Sequence, residues 1–219
     1  NISPMDISIY TLIIIAINAL CSFKGFQDRS FFETYSFTIS GIKRGELLRF
    51  LVSGFLHVDL QHLLFNMITL YFFANNVIYS VGPLYFFIIY FGSLICGNVL
   101  SYYFHKNEPY YTAVGASGAV TGILYAAILL YPGMQLYLYF IPIPIPSYIV
   151  GVGYMLYSIY GMKRRTDNIG HDAHFGGAIG GYVLTVLMVP QVLESHLWMV
   201  IILAVPILIL FLMHHNNKI

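Results

Sequence analysis

The sequence predicts an all-α polytopic membrane protein, a single membrane-embedded domain over residues 1–219 with seven apolar spans. Three observations carry that class. Of the 219 residues 58% are hydrophobic and only 9% are charged, against roughly 25% charged in an ordinary soluble domain, and mean hydropathy is +0.76. The apolar residues fall into uncharged blocks long enough for the roughly 20 residues of helix that a hydrocarbon core about 30 Å thick requires. Glycine and proline punctuate the blocks where helices would end. A net charge of +1 without a Lys/Arg stripe excludes nucleic acid as a partner.

The first uncharged run covers residues 7–23 and ends at Cys21-Ser22-Phe23-Lys24 without a basic leader, so no cleavable signal peptide is expected there. The chain opens on Asn1 rather than Met, and an N-terminal piece is expected to precede it. Residues 24–60 form a long interfacial first loop. Between Lys24 and Asp59 it holds nine of the nineteen charges interleaved with Phe26, Phe31, Phe32, Tyr35, Phe37, Phe50 and Phe55, a mixture suited to a membrane surface. Leu60 to His105 contains no Asp, Glu, Lys or Arg. It is too long for one crossing, and Ser80-Val81-Gly82-Pro83 divides it into spans near 61–79 and 83–104. Pro109 to Met162 is again uncharged. It breaks at Tyr131-Pro132-Gly133 and at Pro142, Pro144 and Pro146, giving spans near 114–131 and 143–162. Spans at 172–189 and 197–213 complete the set, so that residues 61–189 hold the helices that carry the candidate site residues below and 197–213 forms a further C-terminal helix. Cys21 and Cys96 lie in separate apolar runs and read as small buried hydrophobes, neither disulfide nor metal pair.

Polar residues at membrane depth are costly, so each marks a candidate site. Gly115-Ala116-Ser117-Gly118 enters the fourth span, where a serine between glycines has an accessible hydroxyl and helix N-terminal N–H groups face a developing oxyanion. Alone, the pattern fits close packing through Gly118 and Gly122 better. In His171-Asp172-Ala173-His174-Phe175-Gly176-Gly177-Ala178-Ile179-Gly180-Gly181, residues His174, Gly177, Ala178 and Gly181 share one helix face. A backbone packed on that small-residue seam would approach the imidazole. A histidine satisfied by a carbonyl is the better reading of that motif alone. His57, His62 and Asn66 surround the start of the second span, with His62 and Asn66 four apart as donors on one face. Polar glue between helices is an equal alternative there. Together the three groups supply nucleophile, base and anion donors at one membrane face. Asp172 points to another face from His174 and is expected to cap its helix.

Taken in order and spacing, His57-x4-His62-x3-Asn66, Gly115-Ala116-Ser117-Gly118 and Ala173-His174-Phe175-Gly176-Gly177 with Gly181 resemble the rhomboid family of intramembrane serine proteases, over about Arg49 to Gly181. The resemblance implies a six-helix core plus one C-terminal transmembrane helix, the 6+1 arrangement. It implies a dyad in which Ser117 attacks the scissile carbonyl and His174 takes its proton, with His62, Asn66 and the Ser117 N–H as the oxyanion hole. Gly115, Gly118, His57, Arg49, Gly177 and Gly181 would support them, with no metal and no cofactor. Three positions depart from the family pattern. Leu48-Arg49 stands where the family carries Trp-Arg, Thr121 where an aromatic packs one turn after the serine, and Ile78-Tyr79-Ser80 where a glutamate ends the second span.

Substrates would be single-pass transmembrane proteins held in the lipid bilayer and cut near its surface, where weak helix formers let the helix unwind. By family analogy, the fifth span and the loop from Arg164 to Gly170 would move to admit them. All ten Lys and Arg fall on the side of the odd-numbered loops, which the positive-inside rule assigns to the cytoplasm. Family topology places the site on the non-cytoplasmic face of a bacterial inner membrane, and that placement is followed here. Competing readings are a rhomboid-like protein that binds membrane clients without cutting them and, less favoured, a transporter. The latter lacks matching broken segments and a mid-span acid. No His-Glu-x-x-His motif supports a zinc protease. Oligomeric state has no signature in the sequence.

Overall fold

A computed structural model describes residues 7–137 and 143–216; the expected helix breaker Pro142, and Lys218, lie outside them. Helix α1 (Ile9–Gln27) starts at Ser8, whose hydroxyl accepts the Tyr10 N–H at 3.3 Å. Its buried residues are Thr11, Ile14, Asn18, Ser22 and Gly25, whereas Ile9, Leu12, Ile13, Ile17, Leu20 and Phe23 are exposed. Polar and small residues turned inward with large apolar ones outward is the reverse of a water-soluble helix. It is the arrangement lipid selects, since helices there associate by close packing and hydrogen bonds.

The first loop is folded. Asp28 caps α2 (Arg29–Tyr35) through the Phe31 N–H at 3.0 Å, and Thr38 caps α3 (Ile39–Lys43) through the Gly41 N–H at 3.2 Å. Between them β1 (Phe37–Thr38) pairs antiparallel with β2 (Thr112–Ala113), Phe37 opposite Ala113, so the first loop is stitched to the segment that leads into Ser117. Phe37, Ile39 and Ile42 form a small core with Phe50, Tyr102 and Tyr111 around them. Helix α4 (Arg49–Val52) and a 3-10 turn (Ser53–Phe55) close the loop.

Helix α5 (Leu60–His105) is a 46-residue run interrupted at Gly82, whose φ of 79° and ψ of 166° suit glycine. Pro83 follows, where a missing N–H costs little at a helix start. His62 near one end and Gly97 near the other both lie against residues 115–118, so the run doubles back as a hairpin. Helices α6 (Ser117–Leu130), α7 (Ser147–Arg164) and α8 (His171–Met188) follow, with β3 (Gln135–Leu136) and β4 (Ile145–Pro146) paired between α6 and α7. A short α9 (Gln191–Ser195) precedes α10 (Leu197–His215). Three helices are long and apolar enough to cross a membrane by length and composition: α1, α5 and α10. Helix α6, with 14 residues, is a shorter apolar one. The fold is an all-α polytopic membrane fold.

The centre of the bundle is a glycine seam. A Cβ added at Gly177 would sit 2.1 Å from the Gly118 carbonyl oxygen, one at Gly181 2.1 Å from that of Gly122, and one at Gly176 2.7 Å from that of Cys96. The second half of α5, α6 and α8 therefore meet backbone to backbone. One cysteine expectation needs correction: Cys96 is exposed and Cys21 half-buried, because on a lipid-facing helix an apolar residue gains nothing by turning inward.

Candidate active site

Ser117 is the first residue of α6, after Ala116 in the αR region and Gly115 at φ 131°, where glycine is favoured. The Gly115 N–H donates to the Ser53 carbonyl at 3.1 Å and the Ala116 N–H to His57 Nε2 at 3.4 Å. The N–H groups of Ser117 and Gly118, in the first turn, have no intrahelical acceptor and remain as donors at the mouth of the helix.

His57 fixes this turn from below. Because its Nε2 accepts the Ala116 N–H, its proton must sit on Nδ1, which lies 2.9 Å from Ser22 Oγ on α1. Ser22 Oγ in turn donates to the Phe55 carbonyl at 3.1 Å. His57 is fully buried and its burial pushes its pKa down to about 3, so the relay runs through a neutral ring. The His57 and His62 rings meet edge to face, 4.9 Å apart.

His62 stands in the first turn of α5, where Asp59 caps through the His62 N–H at 2.7 Å. A methyl group on Gly115 would lie 3.0 Å from His62 Nε2 and 3.7 Å from Ser117 Oγ. Those two atoms thus flank one small space that only glycine leaves open. Asn66, one turn on and buried, spends one amide N–H on the His62 carbonyl at 3.0 Å and has a second to give.

His174 lies in the first turn of α8, its N–H on the Gly170 carbonyl at 3.0 Å. The seam sets its depth, since the preceding Ala173 carbonyl lies against Gly97 and Gly118, and Gly177, one turn on, rests on Gly118. Its Nδ1 is 2.7 Å from the Tyr154 hydroxyl of α7, and the two rings stack at 5.9 Å and 23°. Among the described residues no hydrogen bond joins Ser117 Oγ to His174. Asp172 does not cap α8: Gly170 holds that position, and the Asp172 carboxylate turns to His105 Nε2 at 3.4 Å. His171 Nε2 faces Asp167 at 3.1 Å.

Arg49 holds the first loop. Its Nε meets Glu46 Oε2 at 2.5 Å, and one terminal nitrogen donates to the carbonyls of Ser36 at 2.5 Å and Glu33 at 3.1 Å. Arg49 and then Arg44 beside it hold the Glu46 carboxyl below the usual range. Sequence reasoning missed four residues that build the site: Ser22, Ser53, Asn98 and Tyr154. Asn98 donates to the Phe50 carbonyl at 2.9 Å and to Ser53 Oγ at 3.3 Å. Being polar within apolar spans, Ser22 and Asn98 carried the same signal as Asn66.

A polytopic helix bundle with Ser117 at a helix mouth and His62 beside it across Gly115 defines the class: an integral membrane protein with polar residues gathered at one helix mouth. A model of the rhomboid domain matches residues 44–191, more than half of the chain, and the chain belongs to the rhomboid family. It is 28% identical over 193 residues to RHOMBOID-like protein 12, mitochondrial, of Arabidopsis thaliana, covering 81% of this chain and 57% of the relative. It is 28% identical over 132 residues to Rhomboid protein 1, mitochondrial, of Saccharomyces cerevisiae, covering 59% and 38%. With Rhomboid protease GluP of Bacillus subtilis it shares 34% identity over 141 residues, 64% of this chain and 26% of the relative. The chain thus spans between a quarter and somewhat over half of these relatives' lengths.

Proposed function

We propose that this protein is an intramembrane serine endopeptidase that cuts single-pass membrane proteins in or near their transmembrane segments through a Ser117–His174 dyad. The observation that carries the reading is that Ser117 Oγ and His62 Nε2 flank one point above Gly115, 3.7 and 3.0 Å from where a Cβ would lie. GluP, named a rhomboid protease, supports it.

In this reading the substrate carbonyl enters above Gly115 and Ser117 Oγ attacks its carbon. His174 Nε2, the ring nitrogen that Tyr154 leaves unoccupied, takes the hydroxyl proton and later passes it to the leaving amine. The tetrahedral oxyanion is met by the Ser117 N–H, His62 Nε2–H and the second Asn66 N–H, each worth about 10²–10³ in kcat. Ser117 and His174 close to hydrogen-bond distance as substrate fills the site, as catalytic pairs commonly do. Water then releases the acyl-enzyme. The helices α1 to α8 form the six-span core and α10 the added span, with the site opening to the non-cytoplasmic side of a bacterial cell membrane. The mitochondrial names of relatives make a mitochondrial membrane the competing location.

The test is cleavage of a fluorescent single-pass transmembrane substrate in proteoliposomes by the native chain, Ser117→Ala and His174→Ala. Activity lost in both variants supports the dyad, and activity surviving Ser117→Ala ends it. A folded native chain that cuts none of several such substrates leaves the client-binding reading instead.

A further inference from the structure

We propose that Tyr154 is a positioning residue for His174, its oxygen accepting a hydrogen bond from His174 Nδ1–H while its own O–H donates to Thr121 Oγ1. The inference rests on the dyad reading and adds a member to that site. Two contacts between α7 and α8 and one neighbour on α6 carry it. The Tyr154 hydroxyl is 2.7 Å from His174 Nδ1. The phenol ring stacks on the imidazole at 5.9 Å and 23°. Thr121, one turn after Ser117 and buried, has its side chain close to the same phenol.

A phenol hydroxyl donates or accepts, and that choice decides which nitrogen of a neutral imidazole bears the proton. Were Tyr154 to donate to Nδ1, Nε2 would carry hydrogen and could take no proton from Ser117. With Thr121 Oγ1 as acceptor for the phenol proton, the Tyr154 oxygen offers a lone pair to Nδ1–H and Nε2 is left bare for the serine. A carboxylate does this in triads. Here a neutral oxygen does it inside a bundle where a second buried charge would be costly. The aromatic absent at Thr121 is thus supplied from α7, and the small residue left at Thr121 becomes the partner of that replacement.

The experiment reads the tautomer directly. Protein labelled with ¹⁵N-histidine in lipid nanodiscs is compared as native, Tyr154→Phe, Thr121→Val and Thr121→Ser, with His174→Gln assigning the His174 signals. Expected are a protonated Nδ1 and a bare Nε2 in the native chain and in Thr121→Ser. Tyr154→Phe, which keeps the ring stack, and Thr121→Val should shift the proton toward Nε2. In the cleavage assay Tyr154→Phe lowers kcat about 10- to 100-fold, the loss of one well-placed hydrogen bond, with KM within twofold. A native His174 protonated on Nε2, or spectra that both substitutions leave unmoved, overturns the proposal. The spectrum needs no turnover, so a native chain that cuts nothing removes the protease reading while the tautomer result still decides the role of Tyr154.

Discussion

Replacing Gly177 by alanine tests whether the glycine seam sets the reacting geometry. The new Cβ would fall 2.1 Å from the Gly118 oxygen and 2.7 Å from the Gly118 carbon and Cα. These are backbone atoms, and no rotamer change removes them. Helices α6 and α8 must part by about 1 Å, and a misplacement of that size costs about 100-fold in rate. The parting falls one turn from His174 and next to Ser117, so it separates the two groups of the proposed dyad. Overpacking of this kind also costs about 1–3 kcal/mol of stability. Gly153→Ala on α7 is the control: nothing lies within 4 Å of its Cβ, and alanine in a helix interior gains about 0.5–1 kcal/mol. The assay pairs kcat/KM on a transmembrane substrate in proteoliposomes with thermal unfolding in detergent. Expected are a lower Tm and a rate down about 100-fold for Gly177→Ala, and an unchanged rate with an equal or higher Tm for Gly153→Ala. A folded Gly177→Ala protein that cuts within twofold of the native rate would refute the reasoning.

Asn66→Ala is expected to slow turnover about 10²–10³-fold without changing Tm much; an unchanged kcat removes Asn66 from the oxyanion site. His57→Phe keeps a ring but strands the Ala116 N–H and Ser22, at about 1–3 kcal/mol. Amide exchange over residues 113–118 should quicken, and unaltered exchange there would argue against the relay. Arg49 and Arg44 hold the Glu46 carboxyl low. Its contribution to the first loop is therefore complete above the ordinary carboxylate value of about 4.3 and is lost as pH falls through the lower folded value. Limited proteolysis of residues 29–52 should be the same at pH 8 and pH 6 and rise only below about pH 4, while Glu46→Gln should be susceptible throughout. Loosening of the native loop already between pH 7 and pH 5.5 contradicts this.

The sequence made Ser117, His174, His62 and Asn66 conspicuous because each is a polar side chain in an apolar run, and Gly82-Pro83 marked the turn of α5 because both residues break helices. Tyr154 was hidden for the opposite reason. It is one of nineteen tyrosines, amphipathic enough to sit anywhere across a span, and its meeting with His174 depends on how α7 crosses α8. Ser22 and His57 are 35 residues apart, and only the docking of α1 joins them. Hydropathy also does not separate lipid-facing from protein-facing positions, which is why Cys96 was expected inside. At Asp172, position in the first turn suggested a cap, but a nearby imidazole competed better for the carboxylate.

The hydrogen-bond relay from Ser22 through His57 to Ala116 has a consequence for modularity. Residues 44–191 carry the family signature, yet the hydroxyl that satisfies Nδ1 of His57 comes from Ser22 on α1, outside that interval. The turn beside Ser117 thus borrows a part from a helix synthesised before the signature begins. The first helix is then a keystone and no mere tether: an excised 44–191 fragment would retain Ser117, His174, His62 and Asn66 but lack the piece that locks the turn before Ser117 in place.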